Sequence, residues 1–499
     1  MNMRKYAFSL VSLVFLFSCS DENNKQFNDA SVFGEAETQL TEAELKVLLR
    51  MRDANNRVSL DEAMEEANWV IDFLNGEGSL KSGSNRKVNS ISALVSGNAR
   101  PVALKSSDAD YIELPDTLAY ILNFNDSLGF AIISADTRID GSMLAFAESG
   151  SLIDSTDNPG IAIFLEHLEG YMLNSIAEAE QQYDSLIAGI LEKLDIDIET
   201  DTKATEEEKA AAKEAAKAAA KAAYEALYGK IIYLVQPLVP VQWGQGTPFN
   251  NNVGGQCNND TGNNKYWAGC VATAVAQIMS YWKHPASMNG YSFNWGELNQ
   301  YTARPKAYPG AGEKDIDSAP ANVKSQLANL FLQIGKEVNM NYGCEGSGAH
   351  TENAMSLLIK HGFKVMTVAV FGTPLLIDYN SNNAIASISR KEPLIVRGCS
   401  HKTVTTTKFL GITVSTSSSY DGCHAWVIDG YMKRRATSNG VNIDYDYIHN
   451  NWGWYGDLNG YFRSGVFNSS SGLVFSSGTK SNDDRNFQYR LEMTPYIRR

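Results

Sequence analysis

Apolar residues recur at helical spacing through Thr41–Met51 (TEAELKVLLRM) and again through Ser59–Leu74. In the second stretch Ser59 is followed three residues later by Glu62, a capping-box start, so two helices are predicted. Residues 79–110 are rich in Ser, Asn and Lys and read as loop or a poorly ordered strand. Apolar runs bounded by turn residues then predict strands at YILNFN (120–125), FAIISAD (130–136) and MLAFAESG (143–150), with a turn over Asp126–Gly129 between the first two. Helical periodicity returns over Pro159–Leu194. Further on, helices are predicted at Cys270–Tyr281, Ala319–Val338 and Glu352–His361, followed by strands at PLIVRG (393–398), AWVIDGYM (425–432), YDYIHNNW (445–452) and NFQYRLEMTP (486–495). Helices first and strands afterwards predict an α+β domain of two lobes, with the groove between them as the natural site.

Two stretches stand outside this pattern. Over Ala210–Ala223, 10 of 14 residues are Ala, with Lys at 209, 213, 217 and 221, which predicts a strong helix with almost nothing large to bury. Such a segment suits a semi-rigid exposed spacer. At the start, Arg4 and Lys5 precede an apolar run from Tyr6 to Phe17, the pattern of an export signal and too short to span a bilayer as a helix. Leu16-Phe17-Ser18-Cys19 resembles a lipobox, in which Cys19 would carry acyl chains that anchor the chain. A plain signal peptide with an incidental Cys is the alternative. The polar residues Ser20–Gln26 behind it suit a flexible tether.

At 499 residues and 43% hydrophobic content, the chain is long enough for two or three cored domains. A formal net charge of −14, with no Lys/Arg cluster, argues against nucleic acid as a partner, because such binders need a basic face. If Cys19 is lipidated, five Cys remain, and an odd number leaves at least one free thiol. Cys399 and Cys423 bracket a polar, β-branched segment like the feet of a hairpin and could bridge. His350, His361, His401 and His449 have no metal-ligand spacing and no HExxH helix is present, so neither metal nor cofactor is expected; His449 reads as strand structure.

Four positions carry candidate chemistry. Cys270, after Gly269, opens a strongly helical stretch, and the partial positive charge of a helix N-terminus favours thiolate over thiol; a buried structural Cys is the competing reading. His424 in DGCHAWVIDGYM starts an apolar strand that would fix its ring. Asn450 or Asn451, in YIHNNWGWYG, could accept a hydrogen bond from the far imidazole nitrogen and hold the tautomer, with Trp452 shielding that bond from water. Gln245, between two glycines in PVQWGQGTPFN, could donate to a developing oxyanion. Each alone has an ordinary structural reading.

Taken in order, PLVPVQWGQGTPFN, GCVATAVAQIM, GCHAWVIDGY and HNNWGWYGDLNGYF resemble the streptopain family of papain-like bacterial cysteine proteases, over essentially all of residues 231–499. YILNFNDSLGFAIISADTRIDGSMLAFAESG resembles the core of that family's propeptide, which blocks the catalytic domain until removed. The resemblance implies a two-lobed papain-like protease domain, helical lobe plus antiparallel β lobe, preceded by an α+β propeptide domain. It implies Cys270 as nucleophile, His424 as base and Gln245 as oxyanion donor of an endopeptidase acting on proteins or peptides, with the propeptide as intramolecular inhibitor. Papain-like enzymes place the orienting Asn two before the Trp and the streptopain pattern one before; this chain has both, so Asn450 and Asn451 stay open. A Cys directly before His424, and the insertion between Cys399 and Cys423, depart from the pattern; the insertion could narrow or gate the cleft.

The expected organisation is a signal peptide at 1–19, a tether at 20–40, an inhibitory propeptide at 41–200, a spacer with the activation cleavage at 201–230 and the protease at 231–499. The expected location is the cell envelope as a lipoprotein precursor, with the cut protease released outside. The competing readings are a lipid-anchored inactive papain-like binding protein and a Cys/His amidase.

Overall fold

The structure is a computed structural model. It describes most of residues 56–75, 86–193, 230–467 and 491–499 and a few positions of 41–50, with short breaks, the longest at 153–157 and 368–373. The signal, tether and Ala-rich spacer expected from the sequence lie outside the described residues, as do residues 486–490 of the last expected strand. Among the described residues no helix is long and apolar enough to cross a membrane.

The N-terminal half is built from helix α1 (Leu60–Asn75), strands β1 (Val88–Val95), β2 (Val102–Ala103), β3 (Thr117–Phe124), β4 (Phe130–Ser134) and β5 (Met143–Ala147), and helix α2 (Pro159–Lys193). The capping box forms: the Ser59 N–H donates to Glu62 Oε2 at 2.8 Å and the Glu62 N–H to Ser59 Oγ at 3.3 Å. Thr41 and Glu44 repeat it at the first expected helix, of which scattered positions between 43 and 50 are described as helical. Asn158 caps α2, its Oδ1 accepting from the Gly160 and Ile161 N–H groups, with Pro159 in the first turn where its missing donor costs nothing. The Ser/Asn-rich stretch departs from expectation. Residues 88–95 form a full strand, paired with β3 along its length, because Ile91 and Ala93 on one side of the pleat are buried against α1 whatever the polar residues between them.

The C-terminal half opens with β6 (Lys230–Val235) and the helices α3 (Cys270–Trp282), α4 (Ala321–Glu337) and α5 (Thr351–Lys360). These helices share one apolar cluster, with Val271, Val275 and Ile278 of α3 against Leu327 and Phe331 of α4 and Leu358 of α5. Then come β7 (Ile377–Asp378), α6 (Ser381–Ser389), β8 (Leu394–Phe409), β9 (Ile412–Ser438), β10 (Val441–Asn451), β11 (Gly460–Arg463) and β12 (Glu492–Met493). The expected α+β class with a helical and an antiparallel β lobe is what folds.

One sheet joins both halves, in the order β7-β12-β8-β9-β10-β11-β5-β4-β3-β1-β2, with β6 on β9. The seam is β11 against β5, antiparallel, pairing Gly460 with Ala147, Tyr461 with Phe146 and Phe462 with Ala145. Along β8 and β9, Ile395, Ala425 and Val427 face the helical lobe, while Val396, Trp426 and Ile428 face a second core that includes Ile161 and Phe164 of α2. The two halves therefore share a core as well as a sheet.

Candidate active site

Cys270 is the first residue of α3, held by a loop stitched to that helix at consecutive residues. The Trp243 N–H donates to Gln277 Oε1 (3.3 Å), the Thr273 hydroxyl to the Gly244 carbonyl (3.4 Å) and the Ala268 N–H to the Gln245 carbonyl (2.8 Å). Gly269, before the thiol, has φ +95°, and a Cβ there would come within 2.6 Å of Met340 and 3.1 Å of the Ser347 carbonyl. Only glycine turns the chain into the helix there without a clash. Gln245 is buried, yet its side-chain amide makes no hydrogen bond among the described residues.

His424 lies in β9 and is buried. Its Nε2 lies 2.8 Å from the Trp452 carbonyl oxygen, which only accepts, so Nε2 carries the proton and Nδ1 keeps the free lone pair. The ring stacks on Trp426, centroids 6.2 Å apart at 12°, and Trp426 in turn packs on Trp452 at 5.3 Å. The Cys270 sulfur lies near the backbone of Ala425, the residue after His424. Thiol and imidazole are thus neighbours across α3 and β9, with no hydrogen bond between them among the described residues.

Neither asparagine read for the orienting role is hydrogen-bonded to the His424 ring here; the group at its Nε2 is the Trp452 carbonyl. Asn450 Oδ1 is taken by the Trp426 indole N–H at 2.8 Å, and Asn451 donates to the Val241 carbonyl at 3.0 Å and accepts from the Gly453 N–H at 3.3 Å. The Asn451 amide is committed to the strand end, the Asn450 Nδ2 is buried without a partner, and neither amide bonds the ring. Trp452 is fully buried, its indole N–H donating to the Leu458 carbonyl; the ring against His424 is that of Trp426.

Burial decides the charge states. The N–H groups at the helix start favour the thiolate as expected, but desolvation outweighs them and pushes the Cys270 thiol up. Desolvation likewise drives His424 down to about 4, the Trp452 carbonyl offsetting part of it. At neutral pH both groups are uncharged.

Two features went unread in the sequence. Tyr455 lies over the Gln245 loop, its hydroxyl accepting the Gly246 N–H at 2.6 Å, and Trp454 stacks on Trp267, centroids 5.6 Å apart, so the segment after Trp452 clamps the one before Cys270. The other is the bridge from Cys257 to Cys344; Cys399 bridges to Cys423 as the sequence allowed, leaving Cys270 as the free thiol among the described residues.

Residues 243–462 match the family model described as the peptidase C10 family, and residues 55–172 match that of the Spi protease inhibitor. The chain carries a peptidase C10 domain behind a Spi-type inhibitor domain. Streptopain of Streptococcus pyogenes is 25% identical over 220 residues, covering 41% of this chain and 47% of that one. The thiol protease/hemagglutinin PrtT of Porphyromonas gingivalis is 24% identical over 250 residues, 46% of this chain and 24% of its own. The matched part therefore spans about half the length of streptopain. Among solved structures, a fragment of Prevotella intermedia prointerpain A aligns with 77% of this chain and 96% of its own, at 21% identity and a TM-score of 0.42.

Proposed function

We propose that this protein is a cysteine endopeptidase made as a zymogen, with Cys270 as nucleophile, His424 as general base and Gln245 as oxyanion donor. The observation that carries this is the placement of the free thiol: Cys270 heads α3 with its sulfur near the backbone of Ala425, the residue after His424, inside a peptidase C10 domain that shares a chain with an inhibitor domain. In the activated enzyme His424 Nδ1 takes the thiol proton and the sulfur attacks the peptide carbonyl. The Gln245 amide and the Cys270 N–H hold the oxyanion, His424 returns the proton to the leaving amine, and water then releases the acyl group.

The present arrangement is the resting one, with a neutral thiol and a neutral imidazole held on the Trp452 carbonyl. The prodomain buttresses that hold from behind: a Cβ on Gly160, at the start of α2, would lie 2.1 Å from the Trp452 ring, and the Asn158 amide donates to the Asp457 carbonyl at 3.0 Å. Removing the prodomain frees the strand end that carries the carbonyl. Export, lipid attachment at Cys19 and a cut within Lys203–Lys230 complete the reading, so that the cut releases the protease from the membrane and leaves the prodomain behind.

The deciding experiment expresses the chain from residue 20 as wild type and as Cys270→Ala, following chain length and casein hydrolysis over time. Processing and hydrolysis by the wild type only are expected; equal behaviour of the two would overturn the assignment. Mass spectrometry of the active form obtained from the full chain, Cys19 included, tests the release, which fails if the lipid-linked N-terminus is still attached.

A further inference from the structure

The stretch between Cys399 and Cys423 is a ribbon of two strands. From His401 to Thr407, β8 pairs residue by residue with β9 from Asp421 back to Ser415. Among the described residues no third strand joins it: β12 meets β8 at Val396 and Arg397, and β10 first meets β9 at Val427. The side of β9 away from β8 is therefore an open edge from Ile412 to Trp426. At 3.3 Å per residue the part from Ser417 to Ala425 is about 26 Å long.

The direction of that edge's backbone groups follows from one pair. Cys399 and Cys423 face each other with their Cα atoms 3.8 Å apart, the close spacing of a pair that exchanges no hydrogen bonds. In an antiparallel ladder, pairs alternate between those that exchange hydrogen bonds and those that do not. Arg397/Ala425 is thus a non-bonded pair like Cys399/Cys423, and so are His401/Asp421, Thr403/Ser419 and Thr405/Ser417. The N–H and C=O groups of Ser417, Ser419 and Asp421 accordingly turn outward, in line with those of Ala425, the residue after His424. Open edges of this kind pair with extended chains.

We propose that the outer edge of β9 is an extended-substrate site: a polypeptide substrate adds to the ribbon as a further strand and is led along it to Cys270. This rests on the peptidase reading. The occupant is an extended peptide because the edge offers backbone donors and acceptors and runs without interruption into the strand that bears His424. The Cys399–Cys423 bridge pins the ribbon's root directly beside that histidine.

The test is the double variant Ser417→Pro/Ser419→Pro. It removes two outward N–H groups that β8 does not use, and an edge strand tolerates proline there. A second variant replaces residues 401–421 by two glycines and keeps the bridge. Both are activated from the full chain and assayed on casein and on a fluorogenic tetrapeptide too short to reach the ribbon. The expected result is a fall of about tenfold in kcat/KM on casein for both variants, with tetrapeptide hydrolysis unchanged. No change on casein, or an equal fall on both substrates, overturns the site. So does a dimer of the Cys270→Ala protease that the prolines dissolve while casein hydrolysis stands, since the edge would then pair two copies. Failure of the wild type on the tetrapeptide would strike the peptidase reading itself.

Discussion

His424 and His167 are held by the same force. Each imidazole is pushed down to about 4 by desolvation, and His167, whose ring meets Phe467 at 6.1 Å across the boundary between the halves, has a buried Nε2 with no partner. A histidine whose folded pKa lies below its unfolded value of 6.5 contributes stability that is fully present above pH 6.5 and is lost as the pH falls toward 4, since the unfolded chain binds the proton first. Glu66 and Glu148 are raised by burial and act in the opposite direction over part of that range, so a difference between variants isolates the effect. His167→Phe keeps an aromatic ring against Phe467 and removes the titration. In the Cys270→Ala full chain, its stability advantage should grow from pH 7 to pH 4 to about 3 kcal/mol, read by urea unfolding at each pH. A difference that does not change with pH would refute it. At this scale Cys270 and His424 were legible because their flanking residues form dense motifs. The Trp452 carbonyl at the ring was not, because a backbone carbonyl has no letter in the sequence.

The element that most directly couples the halves is the start of α2. Asn158 caps the helix with its Oδ1 and reaches the other domain with its Nδ2, so one side chain fixes both the helix and its docking. Next to it, Gly160 leaves no room between helix and Trp452. Gly160→Ala is a prodomain substitution that overpacks this contact, at a cost of about 1–3 kcal/mol. The expected outcome is a shorter lag before casein hydrolysis appears in the wild-type background and a lower urea midpoint in the Cys270→Ala chain; an unchanged lag and midpoint would sink the buttressing role. Helices were the easiest elements to read, and α2, α3, α4 and α5 lie within two residues of their expected bounds because caps and periodicity agree. Strand β1 was read only as loop or a poorly ordered strand because Ser, Asn and Lys are frequent over 79–110, although five of its own eight residues are apolar. The hairpin of β8 and β9 was foreseen only at its feet, since nothing in a Thr/Ser-rich run says how far pairing continues.

On the scale of the whole molecule, the halves are locked by charge as well as by sheet. Glu66 of α1 and Arg434 of β9 form an ion pair with both side chains essentially out of solvent, and the Arg434 guanidinium lies 3.7 Å from the centre of the Trp69 ring. Periodicity could not reveal this contact or the β5–β11 seam, because each joins residues some 300 or more positions apart and neither partner's local pattern names the other. A buried pair contributes little net stability, since desolvating both charges nearly cancels their attraction, but removing one partner strands the other. Glu66→Gln leaves the Arg434 charge uncompensated and should cost about 3–5 kcal/mol in the Cys270→Ala chain, measured by urea unfolding. Glu66→Leu combined with Arg434→Met removes both charges and should recover most of that loss. Because the pair crosses from prodomain to protease, Glu66→Gln should also hasten release of the prodomain once the connecting segment is cut, seen as earlier separation of the two pieces by size exclusion. If the single and double variants are equally destabilised, the pair acts through packing against Trp69, and its charge does not hold the zymogen together.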